Sequence, residues 1–361
     1  MSRGVVEPAL FRRFPALAGR LPHRPFLDGP TPVERLKVPG VPELFVKRDE
    51  RCTKLYGGNK PRKLEFVLGD ALARGARRLV TTGGIGTHHG LATAIFARAC
   101  GLATTLVLVD QPVTAEVRES LRLFAAYGAE VVDARNVPGA AWRGARVLAR
   151  SFARGERPYL VPTGGSSPTG NLGFASAACE LAEQVRAGLL PEPAAIFAPV
   201  GSGGTVAGLA VGLRLAGLRS QVVGVLATDI LPPSPASLSR AARATVRRLR
   251  VLDRSILSPD FAPADFALAT GQLGPGYGAA TDAAREAQAL AGRAGLALDL
   301  TYSAKCFAEL LARGRAGALP RGPVLFWHTF NAVDPRLGAP GAGHLAALPP
   351  RLRRIAEGEA A

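Results

Sequence analysis

The chain has 361 residues, a formal net charge of +17 and only 6% aromatic residues. Its length allows a large hydrophobic core and about two domains. The arginines are spread along the chain and aromatic residues are few, so a nucleic-acid partner is disfavoured in spite of the charge. We expect no signal peptide, no membrane span, no disulfide framework and no metal site, and therefore a cytoplasmic protein.

Strand and helix patterns alternate along the chain. The predicted strands are 44–48, 79–82, 104–109, 130–133, 159–162, 194–200, 221–227 and 323–328. The predicted helices are 60–75, 88–100, 114–127, 138–154, 170–187, a helix opened by 201–205, 235–250, 279–294 and 303–314. This alternation predicts an α/β fold with mostly parallel sheets, in which ligands bind at the carboxyl ends of strands.

Lysine is rare in this chain. Only six of the 45 basic residues are lysines, and four of these lie between 47 and 63. Gly57-Gly58-Asn59 leads into a predicted helix that carries Lys60 and Lys63 on one face. A lysine can lose its proton and form a Schiff base, which arginine cannot do. The pattern indicates a reactive amine; the alternative is a solvated basic helix start.

Gly201-Ser202-Gly203-Gly204-Thr205 lies between a predicted apolar strand and a helix. Glycines and a helix N-terminus favour the binding of one phosphate group, and the spacing matches neither a Walker loop nor a dinucleotide fingerprint. The alternative is an ordinary strand-to-helix turn. A Schiff-base lysine together with a single-phosphate site predicts pyridoxal 5'-phosphate as the cofactor.

Several stretches over residues 28 to 335 together resemble one family. The chain is identified as a member of the aminocyclopropane-carboxylate deaminase / D-cysteine desulfhydrase family, within the tryptophan-synthase-β-like (fold type II) pyridoxal-phosphate enzymes. The matching stretches are 29–32, 46–49, Gly57-Gly58-Asn59-Lys60-Pro61-Arg62-Lys63-Leu64-Glu65, 83–85, 162–173, 201–208, 274–278 and 299–302.

The resemblance implies a role for each matching residue. Lys60 would bind the cofactor covalently and then move protons at the substrate carbon, while Lys63 and 201–205 would bind the phosphate. Tyr277 and Tyr302 match active-site tyrosines; the alternative is that they pack in the core. Ser303 matches the position that faces the pyridine nitrogen. Ring-opening deaminases of this family carry a glutamate there, so Ser303 favours β-elimination.

The chain departs from the family at two places. Thr87 stands where the family uses a serine to bind the substrate carboxylate, and His88 replaces an asparagine that supports the cofactor 3′-oxygen. Adjacent His88 and His89 also permit a metal site, which has no acidic or cysteine ligand nearby in sequence. Phe330-Asn331 replace two glycines beside the cofactor ring. These changes either reshape the substrate pocket or belong to a rebuilt turn.

The resemblance also implies the domain organisation and the reaction. The expected large domain is 1–59 with 159–340, the small inserted domain is 60–158, the cofactor lies in the cleft and 341–361 is a tail. The favoured activity is β-elimination on a small amino acid, with D-cysteine as the hypothetical substrate. The alternatives are ring opening of aminocyclopropane-carboxylate and a relative that binds the cofactor without catalysis. Family analogy implies a homodimer.

Overall fold

The computed structural model describes residues 6–341 and 345–359. Within these residues the strands are β1 Val33–Val38, β2 Val41–Arg48, β3 Arg78–Gly84, β4 Ala103–Val109, β5 Glu130–Arg135, β6 Pro158–Val161, β7 Ala195–Val200, β8 Gln221–Leu226, β9 Ala267–Ala269 and β10 Val324–His328. The helices are α1 Ala9–Arg13, α2 Asn59–Ala73, α3 His88–Ala99, α4 Ala115–Ala126, α5 Val137–Ala153, α6 Leu172–Arg186, α7 Gly204–Ala216, α8 Pro235–Leu252, α9 Asp282–Arg293, α10 Ser303–Arg315 and α11 Pro350–Glu357.

The chain divides into two compact units. Unit 1 consists of the chain up to Phe66 together with Ser166–Ala332, and unit 2 consists of Val67–Gly165 together with the chain from Val333 onwards. Unit 1 contains a six-stranded sheet in the order β1-β2-β10-β7-β8-β9, and unit 2 a four-stranded sheet in the order β5-β4-β3-β6. All neighbouring strands are parallel except β1 and β2. The predicted α/β fold with two mostly parallel sheets is confirmed.

Helices cover both faces of the unit 1 sheet. Alternate residues of β7 point to opposite faces, as the pleat of a strand requires. Ile196, Ala198 and Val200 pack in a core with residues of α6, α7 and α8, whereas Ala195 and Phe197 pack in a second core with residues of α9 and α10. Because β7 is buried over its whole length, its sequence is continuously apolar and ends in the glycine-rich turn at 201.

The boundaries of the units differ from those expected of the two domains. The expected small domain ran over 60–158, whereas unit 2 takes in Val67–Gly165 and also the chain from Val333 onwards. The chain end was expected to be a tail, yet it contains α11. Leu352 and Ile355 of this helix are buried, and Arg351 donates to the carboxylates of Asp110 and Asp133. Apolar residues three apart on one face explain why this short basic segment folds against its unit.

None of the helices within residues 6–341 and 345–359 combines the length and the apolar character that a membrane span needs. Within the same residues, no group of three or more His, Cys, Asp or Glu side chains could hold a metal ion.

A buried ionic cluster in unit 1 fixes the first turns of α2. The guanidinium of Arg62 donates to both carboxylate oxygens of Asp49 at 2.8 Å, and it also donates to both oxygens of Glu180 at 3.0 Å. Lys47 donates to Glu180 at 2.5 Å, and the Trp327 indole donates to Asp49 at 2.7 Å. The exposed fractions of Lys47 and Asp49 are 0% and that of Arg62 is 2%. Such buried charges are stable only as a set.

Candidate active site

Gly57 and Gly58 lie against backbone carbonyls just before α2. A Cβ atom on Gly57 would lie 1.7 Å from the Glu50 carbonyl oxygen, and one on Gly58 would lie 2.3 Å from that of Thr329. Gly58 also has a φ of +78°. The Gly57 N–H donates to Asn331 Oδ1 at 2.5 Å. Close approach of Gly57 to Glu50 and of Gly58 to Thr329 therefore requires glycine at both positions, immediately before α2.

Lys60 and Lys63 lie on the first turns of α2. Lys60 is half-buried, and burial lowers the pKa of its amine to about 8, against the opposing effect of the negative charge of Asp299. Lys63 is 2% exposed, and burial, followed by the positive charge of Lys60, holds its pKa well below the usual value. An amine with a lowered pKa is a nucleophile at near-neutral pH. The predicted reactive amine therefore lies in surroundings that favour its neutral form.

The turn after β7, residues 201–205, leads directly into α7, and we call it the cradle. Gly203 precedes the helix with a φ of +85°, and Ser202 is exposed. A Cβ atom on Gly204 would lie 2.3 Å from Ser166 Oγ. Thr205 is buried, and its Oγ1 accepts from Asn59 Nδ2 at 3.4 Å. Backbone N–H groups at a helix N-terminus favour an anion.

Ser166 connects the cradle to α2, and sequence reasoning missed it. Its Oγ lies 2.7 Å from Ser202 Oγ, accepts from the Gly204 N–H at 3.0 Å and accepts from Lys63 Nζ at 3.3 Å. Ser166 belongs to the matching stretch 162–173, which follows a predicted strand and carries no predicted role. The spacing along the chain could not reveal that its hydroxyl reaches both Lys63 and the turn after β7.

Tyr277 and Tyr302 form a hydrogen-bonded pair beside the cradle. The Tyr302 hydroxyl donates to that of Tyr277 at 3.0 Å, and their ring centroids are 5.9 Å apart. A Cβ atom on Gly201 would lie 3.1 Å from the Tyr302 ring. Burial raises the pKa of both tyrosines, so both are protonated at neutral pH. Because Tyr302 is the donor, Tyr277 keeps its own proton for a further partner.

Ser303 and Asp299 are bound to each other at the start of α10. Ser303 has an exposed fraction of 0%, and its Oγ donates to Asp299 Oδ1 at 2.5 Å. The Asp299 carboxylate also accepts from the backbone N–H groups of Thr301, Tyr302 and Ser303. The proton of the Ser303 hydroxyl is thus committed to Asp299, so this hydroxyl can only accept from any additional partner. Sequence reasoning gave Asp299 no role.

The Thr87–His89 segment lies in unit 2. The Thr87 side chain caps α3 by accepting from the Gly90 N–H at 3.2 Å, and His88 is the half-buried first residue of that helix. His89 is 4% exposed, and its Nε2 lies 3.0 Å from Thr81 Oγ1. Since Thr81 gives its only proton to the Val161 carbonyl, His89 Nε2–H is the donor. His89 therefore ties α3 to the unit 2 sheet.

Gln111 holds the glycine-rich loop before Thr87, and it was also missed. Its Oε1 accepts from the Gly86 N–H at 3.1 Å, and a Cβ atom on Gly84 would lie 2.0 Å from that oxygen. The side chain of Gln111 thus occupies space that only glycine leaves open. This contact explains the glycine at 84 without reference to a ligand.

Phe330 and Asn331 follow β10 in unit 1. The Phe330 ring is half-buried and lies 6.3 Å from the His328 ring, with an angle of 35° between the ring planes. The Asn331 side chain binds the Gly57 N–H, as described above. At Asn331 the departure from the family pattern thus adds a direct contact to the loop that leads to Lys60.

Comparison with known proteins identifies the family. The family model described as "Pyridoxal-phosphate dependent enzyme" matches residues 25–329. The chain belongs to this family of pyridoxal-phosphate-dependent enzymes. It is 35% identical over 333 residues to the nocardicin C-9' epimerase of Nocardia uniformis subsp. tsuyamanensis, covering 88% of this chain and 98% of that protein.

Solved structures of the pyridoxal-phosphate-dependent enzyme family have a similar fold. An ACC deaminase homologue is similar with a TM-score of 0.74 and 28% identity, over 91% of this chain and 96% of that one. A pyridoxal 5'-phosphate-dependent aspartate racemase has a TM-score of 0.60 at 16% identity, over 94% and 99% of the two chains. The family indicates pyridoxal 5'-phosphate as the cofactor, and the ACC deaminase homologue supports the more specific resemblance.

The residues of unit 1 fit this cofactor. A phosphate needs hydrogen-bond donors, and the cradle offers the Ser202 hydroxyl and the N-terminus of α7, with the Lys63 amine bound to Ser166 next to it. An aldehyde needs a nearby amine, and Lys60 is one turn away from Lys63 on the same helix. The chemistry of this donor set therefore agrees with the cofactor of the family.

Proposed function

We propose that this chain is a pyridoxal-phosphate-dependent lyase that acts on a small amino acid by β-elimination. D-Cysteine is the hypothetical substrate, and its reaction with water would give ammonia, hydrogen sulfide and a 2-oxo acid. The observation that carries this proposal is that the half-buried Lys60 amine, with its lowered pKa, lies on the same helix as Lys63, which donates to Ser166 next to the phosphate cradle. Such an amine can both bind an aldehyde and remove a proton from carbon.

Each residue of the site has a proposed part in this reaction. Pyridoxal phosphate, when bound, supplies an electron sink that stabilises negative charge on the substrate Cα. Lys60 would hold the cofactor, and its amine, when free, would take the Cα proton. The phosphate would be held by Lys63 and by the turn residues Gly201, Ser202, Gly203, Gly204 and Thr205. Tyr277 keeps its proton because Tyr302 donates to it, so Tyr277 can protonate the leaving sulfur.

Thr87, His88 and Ser303 complete the proposal. The Thr87 hydroxyl accepts from the Gly90 N–H, which leaves its proton for a substrate carboxylate. His88 would support the 3′-oxygen of the cofactor. Ser303 would meet the ring nitrogen as an acceptor, since its proton is bound to Asp299. A serine in place of glutamate makes ring opening of aminocyclopropane-carboxylate the less favoured alternative.

Epimerisation of an amino acid is the second candidate. The relative that supports it is the nocardicin C-9' epimerase, which this chain matches over 98% of that protein's length. Epimerisation and β-elimination share the first step, removal of the Cα proton. They differ in the next step, because elimination expels a β-substituent whereas epimerisation returns a proton to the opposite side of Cα.

Exchange of the Cα proton in deuterated water tests the shared step. We expect the cofactor-loaded protein to exchange the Cα proton of D-cysteine or β-chloro-D-alanine and to release ammonia. Exchange and inversion without ammonia would replace the lyase with an epimerase. If neither enantiomer of cysteine, β-chloroalanine or alanine exchanges its Cα proton or reacts, and aminocyclopropane-carboxylate, which has no Cα proton, releases no ammonia, both catalytic proposals are wrong.

Removal of the Ser166 hydroxyl tests the phosphate cradle. We expect Ser166→Ala to weaken binding of pyridoxal phosphate about tenfold, because it removes the acceptor that orients Lys63 and the Gly204 N–H. Fluorescence titration of the cofactor-free protein measures the dissociation constant. Ser167→Ala is the matched control, since Ser167 Oγ accepts from the Gly170 N–H. Equal affinities for the two variants would contradict the assignment.

By analogy with the family, we also propose that the protein is a cytoplasmic homodimer. Analytical ultracentrifugation at micromolar concentration tests the oligomeric part of this proposal. A monomer under these conditions would overturn it.

A further inference from the structure

The loop that carries Tyr277 contains neither a helix nor a strand. It includes Gly274, Gly276 and Gly278, with φ values of +66°, +142° and +78°. Glycine backbones lose much conformational entropy when they become ordered. A loop of this composition needs contacts from outside if it is to hold the Tyr277 hydroxyl 3.0 Å from that of Tyr302.

Lys305 supplies such contacts. This lysine lies in the first turn of α10 and has an exposed fraction of 0%. Its Nζ donates to the carbonyl of Leu273 at 2.7 Å and to that of Gly276 at 3.3 Å. The two carbonyls belong to the segment immediately before Tyr277. One ammonium group thus bridges the carbonyls of Leu273 and Gly276.

The position of Lys305 is unfavourable apart from these contacts. A cation near a helix N-terminus is opposed by the helix dipole, and a buried ammonium loses its hydration. Burial accordingly lowers the pKa of Lys305, against the opposing charges of Asp229 and Asp299. Arginine has a larger planar head with fixed donor directions, whereas an ammonium is compact. Because the helix dipole and the loss of hydration both disfavour a charged side chain here, the position points to a specific need for an amine at 305.

Asp229 holds the same loop from another side. Its Oδ1 accepts from the Tyr277 N–H at 2.9 Å, and a Cβ atom on Gly276 would lie 2.9 Å from its Oδ2. Lys305 binds carbonyls, whereas Asp229 binds an N–H group. In the peptide group between Gly276 and Tyr277, the carbonyl is therefore bound by Lys305 and the N–H by Asp229.

We propose that Lys305 is a positioning residue that clamps the 273–277 loop and thereby holds the Tyr277 hydroxyl in the active site. The catalytic part of this inference rests on the proposed function, in which Tyr277 protonates the leaving group. The clamp itself is a property of the folded chain. Lys305 acts through Tyr277 and touches neither substrate nor cofactor in this proposal.

Amide hydrogen exchange of the cofactor-free protein tests the clamp without reference to activity. In Lys305→Met, which keeps the length of the side chain and removes its donors, we expect residues 274–278 to exchange at least about tenfold faster while β7 and α7 are unchanged. Lys37→Met, at an exposed lysine of β1, is the control and should leave the loop unchanged. Unchanged exchange at 274–278 in Lys305→Met would overturn the proposal.

A double-mutant cycle tests whether Lys305 acts through Tyr277. We expect Lys305→Met and Tyr277→Phe to lower kcat/KM by similar factors, and the double variant to be no worse than Tyr277→Phe within about threefold. Losses that multiply would overturn the inference. If Lys305→Met does not fold, Lys305→Gln replaces it and should also accelerate exchange at 274–278, because its shorter side chain cannot reach both the Leu273 and the Gly276 carbonyl. A wild-type protein that exchanges no Cα proton would refute the proposed function, and amide exchange would still decide the clamp.

Discussion

Lys60→Ala should lose at least about 10³-fold in turnover, because one amine is proposed both to hold the cofactor and to remove the substrate proton. Borohydride reduction followed by mass spectrometry measures covalent attachment of the cofactor. We expect the wild-type chain to gain the mass of the reduced cofactor and Lys60→Ala to gain none. Lys63→Ala should keep the covalent label and bind the cofactor more weakly, since Lys63 is assigned to the phosphate.

The lowered pKa of Lys60 adds a pH dependence to this result. Its amine has a pKa of about 8, so the neutral, nucleophilic form predominates above that pH. Capture of the cofactor by the cofactor-free protein should therefore slow about tenfold for each pH unit below 8. Lys37→Ala is the control, because Lys37 is exposed on β1. A covalent label that persists in Lys60→Ala would show that another lysine holds the cofactor.

Arg62→Met should destabilise unit 1 by about 3–5 kcal/mol, because it leaves buried carboxylates without their shared partner. Arg62 is 2% exposed and donates to both Asp49 and Glu180. Urea unfolding of the cofactor-free protein measures the change through the fluorescence of Trp327, which is buried and donates to Asp49. This variant and its control both carry Trp142→Phe, which replaces the exposed second tryptophan, so that the signal comes from Trp327 beside the cluster.

Arg12→Met is the matched control for Arg62→Met. Arg12 also binds a carboxylate with two nitrogens, that of Glu183, but the pair is partly exposed and should contribute about 0.2–1 kcal/mol. Similar losses of stability in Arg62→Met and Arg12→Met would contradict the role of the cluster.

The cluster also makes stability depend on pH. Burial raises the pKa of Glu180, but Arg62 and Lys47 outweigh it and lower this pKa to about 2 from 4.5. The contribution of Glu180 to the free energy of unfolding is therefore present above about pH 4.5 and lost as the pH falls towards 2.

Local patterns were sufficient to predict much of the fold. The continuous apolar run of β7 and the periodic face of α2 each specify an element and its burial, so the alternation of strands and helices could be read directly. Missed elements include β9 and α11. β9 has three residues and is ordered by pairing with β8, and α11 was obscured by its arginines. Their stability comes from tertiary contacts, which a local pattern does not contain.

Local patterns in the sequence indicate some residues of the candidate site and not others. Lys60 and the turn at 201–205 stand out because their residue types have chemical uses at that spacing. Ser166, Gln111 and Asp299 do not, because each acts through a partner far along the chain or through backbone groups. The sequence presents the Gly57-Gly58 pair as the lead-in to a helix, whereas the main constraint on the pair is contact with Glu50 and Thr329. A local motif does not indicate which distant carbonyl a glycine will contact.

The scarcity and burial of lysine in an arginine-rich chain have a practical consequence for chemical labelling. Lys47, Lys63 and Lys305 are almost completely buried, whereas Lys37 and Lys54 are exposed. Amine-selective reagents therefore have few side-chain targets on the folded protein, although its surface is strongly cationic. Cross-linking through amines will under-sample this surface, and acylation of the buried lysines will report on opening of unit 1 rather than on surface charge.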